Sequence, residues 1–579
     1  MKKITFTIIS LSFILTNSFS QSFEAANISG VTTTPSNSRS ANFIDINNDG
    51  WDDIFITNSS GPGSGENNML YLNNTDGTFT TITNDPITQD NSRSVAASFA
   101  DADNDGDLDA YMVTWGSSTK NYFYRNNGNG IFSYEPTNVS GSVFTFSEMV
   151  TWIDANNDQN LDIFYTNSAG NATNSYYENQ TDGTFVNNTS IEFTNEFFGT
   201  RSVDLIDYDN DGDCDLFLTN ENTTKNSLYR NDGTNNYTKI TNLSFVQDLK
   251  NSAGSSWADI DNDGDFDLLV TNYETNGQSN QLFRNNGSTF TEETSSPIAL
   301  ATSSSFGSTF GDLDNDGDLD LIVCNSYLSS VQNNYIYIND GSGNFTQDTS
   351  SALATFSGWT YSAAFGDYDN NGWLDVIYAN NQNGNQTNAL FRNTGTGNNW
   401  VKINCSGTNS NNSAIGAKVR IKSTINGNEV WQTRKIVSSS GYCSQNSYTQ
   451  HFGLGNATII EALEITWPIG TVETYNNLNI NTTHNVIEGT GLGISEMSLH
   501  SFKLFPNPVK DTITIRLGSK LVDSKNNVFT IFNMNGKRVK TVPLNNTETY
   551  DVSELKTGNY IYTISKNNTI HYSGKLIKN

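Results

Sequence analysis

One nine-residue element recurs seven times in this 579-residue chain: DINNDGWDD from Asp45, DADNDGDLD from Asp101, DANNDQNLD from Asp154, DYDNDGDCD from Asp207, DIDNDGDFD from Asp259, DLDNDGDLD from Asp312 and DYDNNGWLD from Asp367. The steps between first aspartates are 56, 53, 53, 52, 53 and 55 residues. That period is longer than a solenoid repeat and close to that of a kelch-type propeller blade. Each unit also has one grammar. An apolar or aromatic residue ends a strand two positions before the loop, at Phe43, Phe99, Trp152, Leu205, Trp257, Phe310 and Phe365. A β-branched run follows, as in LDLIVCN from Leu319, then a short strand into a Gly/Asn turn, as in LFRNNG from Leu282. A last strand opens on an aromatic, as in FTQDT from Phe345. These are strand and hairpin signals, and four short strands are what one blade requires.

The ends of the array predict how it closes. The last-strand aromatic stands at Phe79, Phe132, Phe185, Tyr237, Phe290 and Phe345, but the seventh unit has none after LFRNTG from Leu390. FEAANIS from Phe23 supplies one at the other end of the chain. Residues 22–28 are therefore expected to complete the seventh unit and remove an open sheet edge. Trp152 and Trp257 occupy the position held elsewhere by Phe or Leu, and are read as inter-blade core rather than as a sugar-stacking site.

The loops carry the chemistry. Ca2+ takes six to eight oxygen ligands. Carboxylates or carboxamides at positions 1, 3 and 5, a glycine at 6 for the sharp turn, a backbone carbonyl at 7 and Asp at 9 can surround one ion. The candidate ligands are Asp45, Asn47, Asp49, Trp51 and Asp53 in the first loop and Asp101, Asp103, Asp105, Asp107 and Asp109 in the second. The third offers Asp154, Asn156, Asp158, Asn160 and Asp162, and the fourth Asp207, Asp209, Asp211, Asp213 and Asp215. In the fifth they are Asp259, Asp261, Asp263, Asp265 and Asp267, and in the sixth Asp312, Asp314, Asp316, Asp318 and Asp320. The seventh has Asp367, Asp369, Asn371, Trp373 and Asp375. An EF-hand would need Glu at position 12 and flanking helices. Position 12 here holds Ile56, Met112, Tyr165, Leu218, Val270, Val323 and Tyr378, which suit a buried strand. Up to seven Ca2+ ions are expected. Gln159 replaces the glycine of loop three and Asn371 the aspartate of loop seven, so those two are expected to bind weakly or stay empty.

Charge agrees with this reading. The formal net charge is −30, and nearly half of the 61 acidic residues lie in the seven loops. Such acidity disfavours nucleic acid and anionic membranes as partners. Aromatic residues at 12% argue against disorder. Lys2 and Lys3, the apolar stretch Ile4 to Leu15 and the small residues Ser18 and Ser20 read as a secretory signal over residues 1–20. No later run is long and apolar enough to span a bilayer, so the mature chain is expected to lack a transmembrane segment. Four cysteines, Cys214, Cys324, Cys405 and Cys443, are too few for a disulfide scaffold, and the sequence leaves open whether Cys405 and Cys443 pair.

Three resemblances follow from these residues. The repeated D-x-D-x-D-G-x-x-D, over residues 21–398, resembles the FG-GAP/VCBS repeats of integrin-like propellers. Residues 399–489, with WVKINCSG from Trp400, SAIGAKVRI from Ser413 and SSSGYCSQNSYTQHFGLG from Ser438, resemble the ASPIC/UnbV domain of cartilage acidic protein relatives. That likeness implies an extracellular calcium-binding protein, and Cys443 departs from the family pattern. Residues 501–579, with FKLFPNPVKDTITI from Phe502 and ELKTGNYIYTI from Glu554, look like a type A sorting domain of the type IX secretion system, after a linker at 490–500. The alternating VFTIFNM and YIYTI segments independently suggest a small β-sandwich. The expected fold is all-β: a seven-bladed β-propeller followed by two small β domains. The expected location is secreted or attached to the outer-membrane surface, with the secretion machinery as a partner of the tail.

No catalytic constellation is visible. His451, His484, His500 and His571 all lie outside the repeats, and no nucleophile elbow or zinc-ligand cluster occurs. His451 is read as structural. The sequence therefore favours adhesion or the binding of an extracellular protein or glycan over catalysis. The alternative is a calcium-dependent polysaccharide-active enzyme such as a lyase, for which Arg201 or Lys250 would be the candidate basic groups, neither with a visible partner.

Overall fold

The computed structural model describes residues 22–490 and 502–579, apart from 60–64, 117–119, 137–144, 169–172, 181–183, 234, 275–276, 288, 328–330, 382–385, 506–507, 518–526, 534–536, 545–547 and 567–568. The signal stretch and nearly all of the linker lie outside the described residues.

The repeats form seven antiparallel four-stranded units in chain order. Unit one is built from Ser38–Ile44, Asp53–Asn58, Met69–Asn73 and Phe79–Ile82, each paired to the next. Each aspartate loop joins the first strand of its unit to the second, with strands on both sides. Unit seven takes its outer strand from the start of the chain: Phe23–Ala26 pairs with Ala389–Asn393, Phe23 opposite Asn393 and Ala26 opposite Leu390. The first strands, Ser38–Ile44, Ser94–Ala100, Thr145–Ile153, Thr200–Ile206, Ser252–Ala258, Ser305–Gly311 and Thr360–Gly366, contact one another in that order, and the last contacts the first. The units thus close into a ring. Units two and three also share a sheet, because Thr145 and Phe146 pair with Gly116 and Trp115.

Small residues line the centre because seven strands converge there. Gly307 lies where an added Cβ would meet the Tyr361 carbonyl at 2.7 Å, so this approach of unit six to unit seven requires glycine. Large apolar residues fill the spaces between units. Trp152 is fully buried, and Trp257 packs edge-on against Phe217, Phe245 and Phe290. Hydroxyls add a second layer of contact. Thr219 Oγ1 accepts the Ser202 amide within its unit and donates to the Ala253 carbonyl of the next, and Thr271 repeats this between Gly254 and Phe306.

Beyond the ring lie two smaller β bodies. In the first, Asn399–Ser406 is flanked by Gln450–Gly455 and, in parallel, by Thr483–Ile487. A four-stranded sheet in the order Asn428–Lys435, Lys418–Ile425, Ile460–Thr466, Val472–Leu478 packs against it over Val401, Ile421, Phe452 and Trp467. The tail sets a three-stranded and a four-stranded sheet around Ile513, Ile515, Phe529 and Ile531. All four cysteines are free, so Cys405 and Cys443 do not pair. No described helix is long and apolar enough to cross a membrane.

The segment Ser438–Ser447 leaves the first small body and enters the ring. Trp152 N donates to Ser438 Oγ at 2.8 Å, and Ser98 Oγ donates to the Ser438 carbonyl at 2.6 Å. The Gln445 carbonyl accepts from Phe43 N, while its side chain binds both the amide and the carbonyl of Phe99. Asn446 Oδ1 accepts from Phe365 N, and its Nδ2 donates to Thr309 Oγ1. Tyr442 and Cys443 are buried among residues of the central strands. This one segment therefore fills the middle of the ring.

Candidate metal loops and the interface they face

Each loop is folded by its own side chains before any ligand is considered. The position-1 carboxylate accepts backbone amides from positions 5 and 6: Asp45 from Asp49 and Gly50, Asp101 from Asp105 and Gly106, Asp312 from Asp316 and Gly317. Position 4 is an asparagine in the left-handed region in every loop, with φ from 53° at Asn370 to 59° at Asn157, Asn210 and Asn262. Asparagine tolerates that conformation well. Position 6 is glycine except at Gln159, which holds φ 75° where a side chain is strained.

The carboxylates converge without enough donors to satisfy them. Oxygens of Asp101, Asp103 and Asp105 lie within 4.8 Å of one another, as do those of Asp207, Asp209 and Asp215, of Asp259, Asp261 and Asp263, of Asp312, Asp314 and Asp316, and of Asp367, Asp369 and Asp375. Asp207 Oδ1, Asp209 Oδ1, Asp259 Oδ1, Asp261 Oδ1 and Asp369 Oδ1 are buried and accept no hydrogen bond. Orphaned buried carboxylate oxygens are costly, and a cation is the partner that would relieve them. The donor set therefore fits a hard divalent ion. Burial, opposed by the Gly50 amide, raises the Asp45 carboxyl to about 7. Burial likewise lifts Asp101 and Asp259 to about 6. Asp312 and Asp316 are raised by burial and by the charges of their loop.

Position 9 has a structural duty as well. Asp267 Oδ1 accepts Asn285 N and its Oδ2 accepts Ile260 N, and the same pair of bonds recurs at Asp53, Asp215, Asp320 and Asp375. Burial raises Asp53, Asp215 and Asp267 to about 8. These aspartates clamp the loop to the third strand of their unit.

Two sets of asparagines escaped the sequence reading. The third strand ends in Asn73, Asn126, Asn179, Asn231, Asn285, Asn339 or Asn393. Asn126 Nδ2 donates to the Ile46 carbonyl of the preceding unit's loop, Asn339 to Ile260, Asn393 to Leu313, and Asn73 to Tyr368 across the ring closure. The position-4 asparagines reach forward: Asn48 donates to Gly106 O and Asp107, Asn262 to Asp318, and Asn315 to Gly372 O. The repeated Tyr/Phe-x-Asn that ends the third strand was the available signal. Its meaning needed the neighbouring unit.

The loops face the first small body. Lys402 Nζ donates to Asp367 Oδ2 at 2.7 Å and to Asn370, with both charged groups buried. An ammonium thus stands at loop seven, the loop expected to bind weakly. Asn412 donates to Asp101 Oδ2 at 2.6 Å, and Ser413 Oγ accepts Asp101 N. Arg434 is half-buried, and its guanidinium is lowered to about 10 by desolvation against the opposing pull of Asp312, Asp259 and Asp318. His451 Nε2 donates to the Gly372 carbonyl at 3.1 Å, and burial lowers its imidazole to about 3, so it is neutral and structural. A cavity of about 780 Å3 lies between the two bodies, with Asp45, Asp101, Asp367, Lys402 and His451 among its walls.

The groups proposed for a lyase are placed differently from expectation. Arg201 does have partners: Glu148 at 2.8 Å and Glu221 at 2.6 Å. Lys250 Nζ donates to the Ser279 carbonyl at 3.4 Å.

Three family models match the chain. A family model described as FG-GAP-like repeat matches residues 45–112, 154–218, 207–270, 259–323 and 325–378, together half of the chain. One described as ASPIC and UnbV matches residues 407–492, and one described as a secretion system C-terminal sorting domain matches residues 503–579. Cartilage acidic protein 1 of Xenopus tropicalis is 26% identical over 291 residues, covering 48% of this chain and 43% of that protein. The Homo sapiens protein of the same name is 26% identical over 287 residues, covering 48% and 42%. The chain thus spans less than half the length of these curated relatives. Among solved structures, the extracellular domain of a hybrid two-component system of B. thetaiotaomicron is similar at 12% identity and a TM-score of 0.39, covering 97% of this chain and 59% of that one. The exotype rhamnogalacturonan lyase YesX is similar at 10% identity and a TM-score of 0.29, covering 79% and 91%.

Proposed function

Because this chain belongs to the FG-GAP-like repeat proteins, we propose that its seven units are the blades of one propeller whose aspartate loops hold structural Ca2+ and which serves outside the cell as an adhesion or ligand-binding module for protein or glycan. The sorting domain at 503–579 indicates export to the cell surface or beyond and implies contact with the type IX secretion machinery.

The observation that carries the reading is the set of buried, unpartnered oxygens on Asp207, Asp209, Asp259 and Asp261. In loop four the ligands would be Asp207, Asp209, Asp211, the Asp213 carbonyl and Asp215; the other loops would use the matching positions. Bound calcium would supply positive charge where like charges crowd. The protein's own groups do the rest. Position-1 aspartates hold each loop's turn, position-9 aspartates clamp it to its sheet, and asparagines link it to the adjacent loop. Lys402, Arg434 and Asn412 bring the ASPIC/UnbV-like body onto the same loops, so loop charge and domain seating are coupled.

Chelation tests this. Treatment of the secreted chain with EGTA is expected to lower the melting temperature by roughly 10 °C or more and to expose loop cleavage sites, both restored by Ca2+. An unchanged melting curve and an unchanged proteolysis pattern would overturn the calcium reading.

A further inference from the structure

The end of the ring opposite the aspartate loops is built differently. Each first strand carries a β-bulge there, as between Thr200 and Ser202 and between Thr360 and Ser362. Bulges re-aim side chains. Here they gather Val95, Ala253, Phe306 and Tyr361 around Tyr442 of the central segment. Tyr442, itself fully buried, donates to Glu148 Oε2 at 2.7 Å.

Around it a chain of contacts runs from unit to unit. The Arg39 guanidinium lies 4.0 Å over the Tyr361 ring, and Tyr361 is 5.0 Å from Phe306. Phe306 meets Tyr273 at 5.0 Å and Tyr327 at 6.5 Å, and Tyr327 meets Trp359 at 6.3 Å. Arg201 joins Tyr273 to Glu148. Ser168 joins Glu148 to Trp115 Nε1. Arg93 lies 5.3 Å over Trp115.

The charges on this circuit do not balance locally. Arg201 is committed to Glu148 and Glu221. Among the described residues, Arg39 and Arg93 pair with no carboxylate. Arg39 Nε and Arg93 Nε and Nη2 are buried and donate to nothing, as is the case for Trp359 Nε1. Burial and the charge of Arg39 hold the Arg93 guanidinium below its ordinary value. Buried donors without acceptors are destabilising. In a chain of net charge −30, two neighbouring arginines without a carboxylate ion pair of their own, the nearby Glu148 being bound to Arg201, suit an anionic partner.

We propose that this end of the ring binds an anionic saccharide, a sugar bearing a carboxylate or sulfate, with Arg39 and Arg93 on the acid group and Trp115, Tyr327 and Trp359 against the sugar. Guanidinium groups suit planar, multi-oxygen anions. Tyr327 is 52% exposed and Trp115 and Trp359 are half-buried, so part of each ring can meet the apolar face of a pyranose. An acidic peptide could meet the arginines, yet it would leave the three ring faces without a role. This deepens the binding reading above and is independent of the calcium loops.

The test is titration calorimetry of the full secreted chain in Ca2+ with tetragalacturonate, a sulfated chondroitin tetrasaccharide, neutral maltotetraose and a Glu-rich peptide. One or both anionic saccharides are expected to bind, and the neutral one not. Arg39→Gln and Arg93→Gln are each expected to weaken binding at least tenfold at unchanged melting temperature. If Arg39→Gln does not fold, Arg93→Gln alone decides. The two anionic arms distinguish carboxylate from sulfate. The proposal is overturned if neither anionic saccharide binds, if maltotetraose binds as well, if the peptide binds with the same arginine dependence, or if the variants bind as the native chain does. Melting with and without EGTA in the same samples keeps the two readings apart. A normal calcium response without saccharide binding sinks only the saccharide site, and the converse sinks only the calcium loops.

Discussion

Asn339 makes contacts in two units at once. Its Nδ2 donates to Ile260 O at 2.7 Å in unit five and to Leu319 O at 3.1 Å in its own unit, and its Oδ1 accepts Gly341 N. Asn339 and both carbonyls are buried. Truncation would leave two carbonyls and an amide without partners, each a cost of about 1–3 kcal/mol, partly offset by relaxation. Asn339→Ala is therefore expected to lower stability by about 2–4 kcal/mol, read as a drop in the urea midpoint. An effect near zero would mean that water replaces these contacts at no cost. The residue scale also shows what one-dimensional reading misses. The aspartates announce themselves by repetition and type, whereas Asn339 is one more asparagine in an Asn-rich chain until Ile260, 79 positions away, is placed beside it.

At the scale of elements, two short segments do more than their length suggests. Phe23–Ala26 supplies the outer strand of unit seven and buries Phe23 against Ala354, Val376 and Phe391. Deleting residues 22–28 would expose a full strand edge on Ala389–Asn393, and open edges recruit other chains. The truncated protein is expected to melt lower and to self-associate in sedimentation velocity; a monomer of native stability would refute that role. The absent aromatic after Leu390 made this closure legible, since a strand was missing from one end of the array and spare at the other. The Ser438–Ser447 segment gave no such warning. Its Ser, Gly, Gln and Asn residues have no strand or helix period. They fit the centre of the ring because small polar groups can meet the backbone amides and carbonyls that converging strands leave there.

For the whole molecule, pH and calcium should act together. Carboxyls raised in the ion-free fold, Asp45 to about 7, Asp101 and Asp259 to about 6, retain protons that the unfolded chain releases near 4. Their favourable contribution is complete below about pH 4 and is lost as pH rises through 6 to 7, so the ion-free fold weakens toward neutrality. Calcium needs the deprotonated form, so its stabilising effect is expected to grow over the same range. The gain in melting temperature on adding Ca2+ should be small at pH 5 and large at pH 8; equal gains at both would contradict carboxylate ligation.

The sequence by itself determined the repeat, the all-β class, the exchange of the outermost strand and the place of each aspartate, because periodic residue type and local turn chemistry are properties of neighbours along the chain. Tertiary structure alone decided that Lys402 reaches Asp367, that residues 438–447 occupy the ring's centre and that Arg39 and Arg93 share its far mouth. Those juxtapositions join residues tens to hundreds of positions apart, and side-chain charge and shape find partners through space, which no local pattern records.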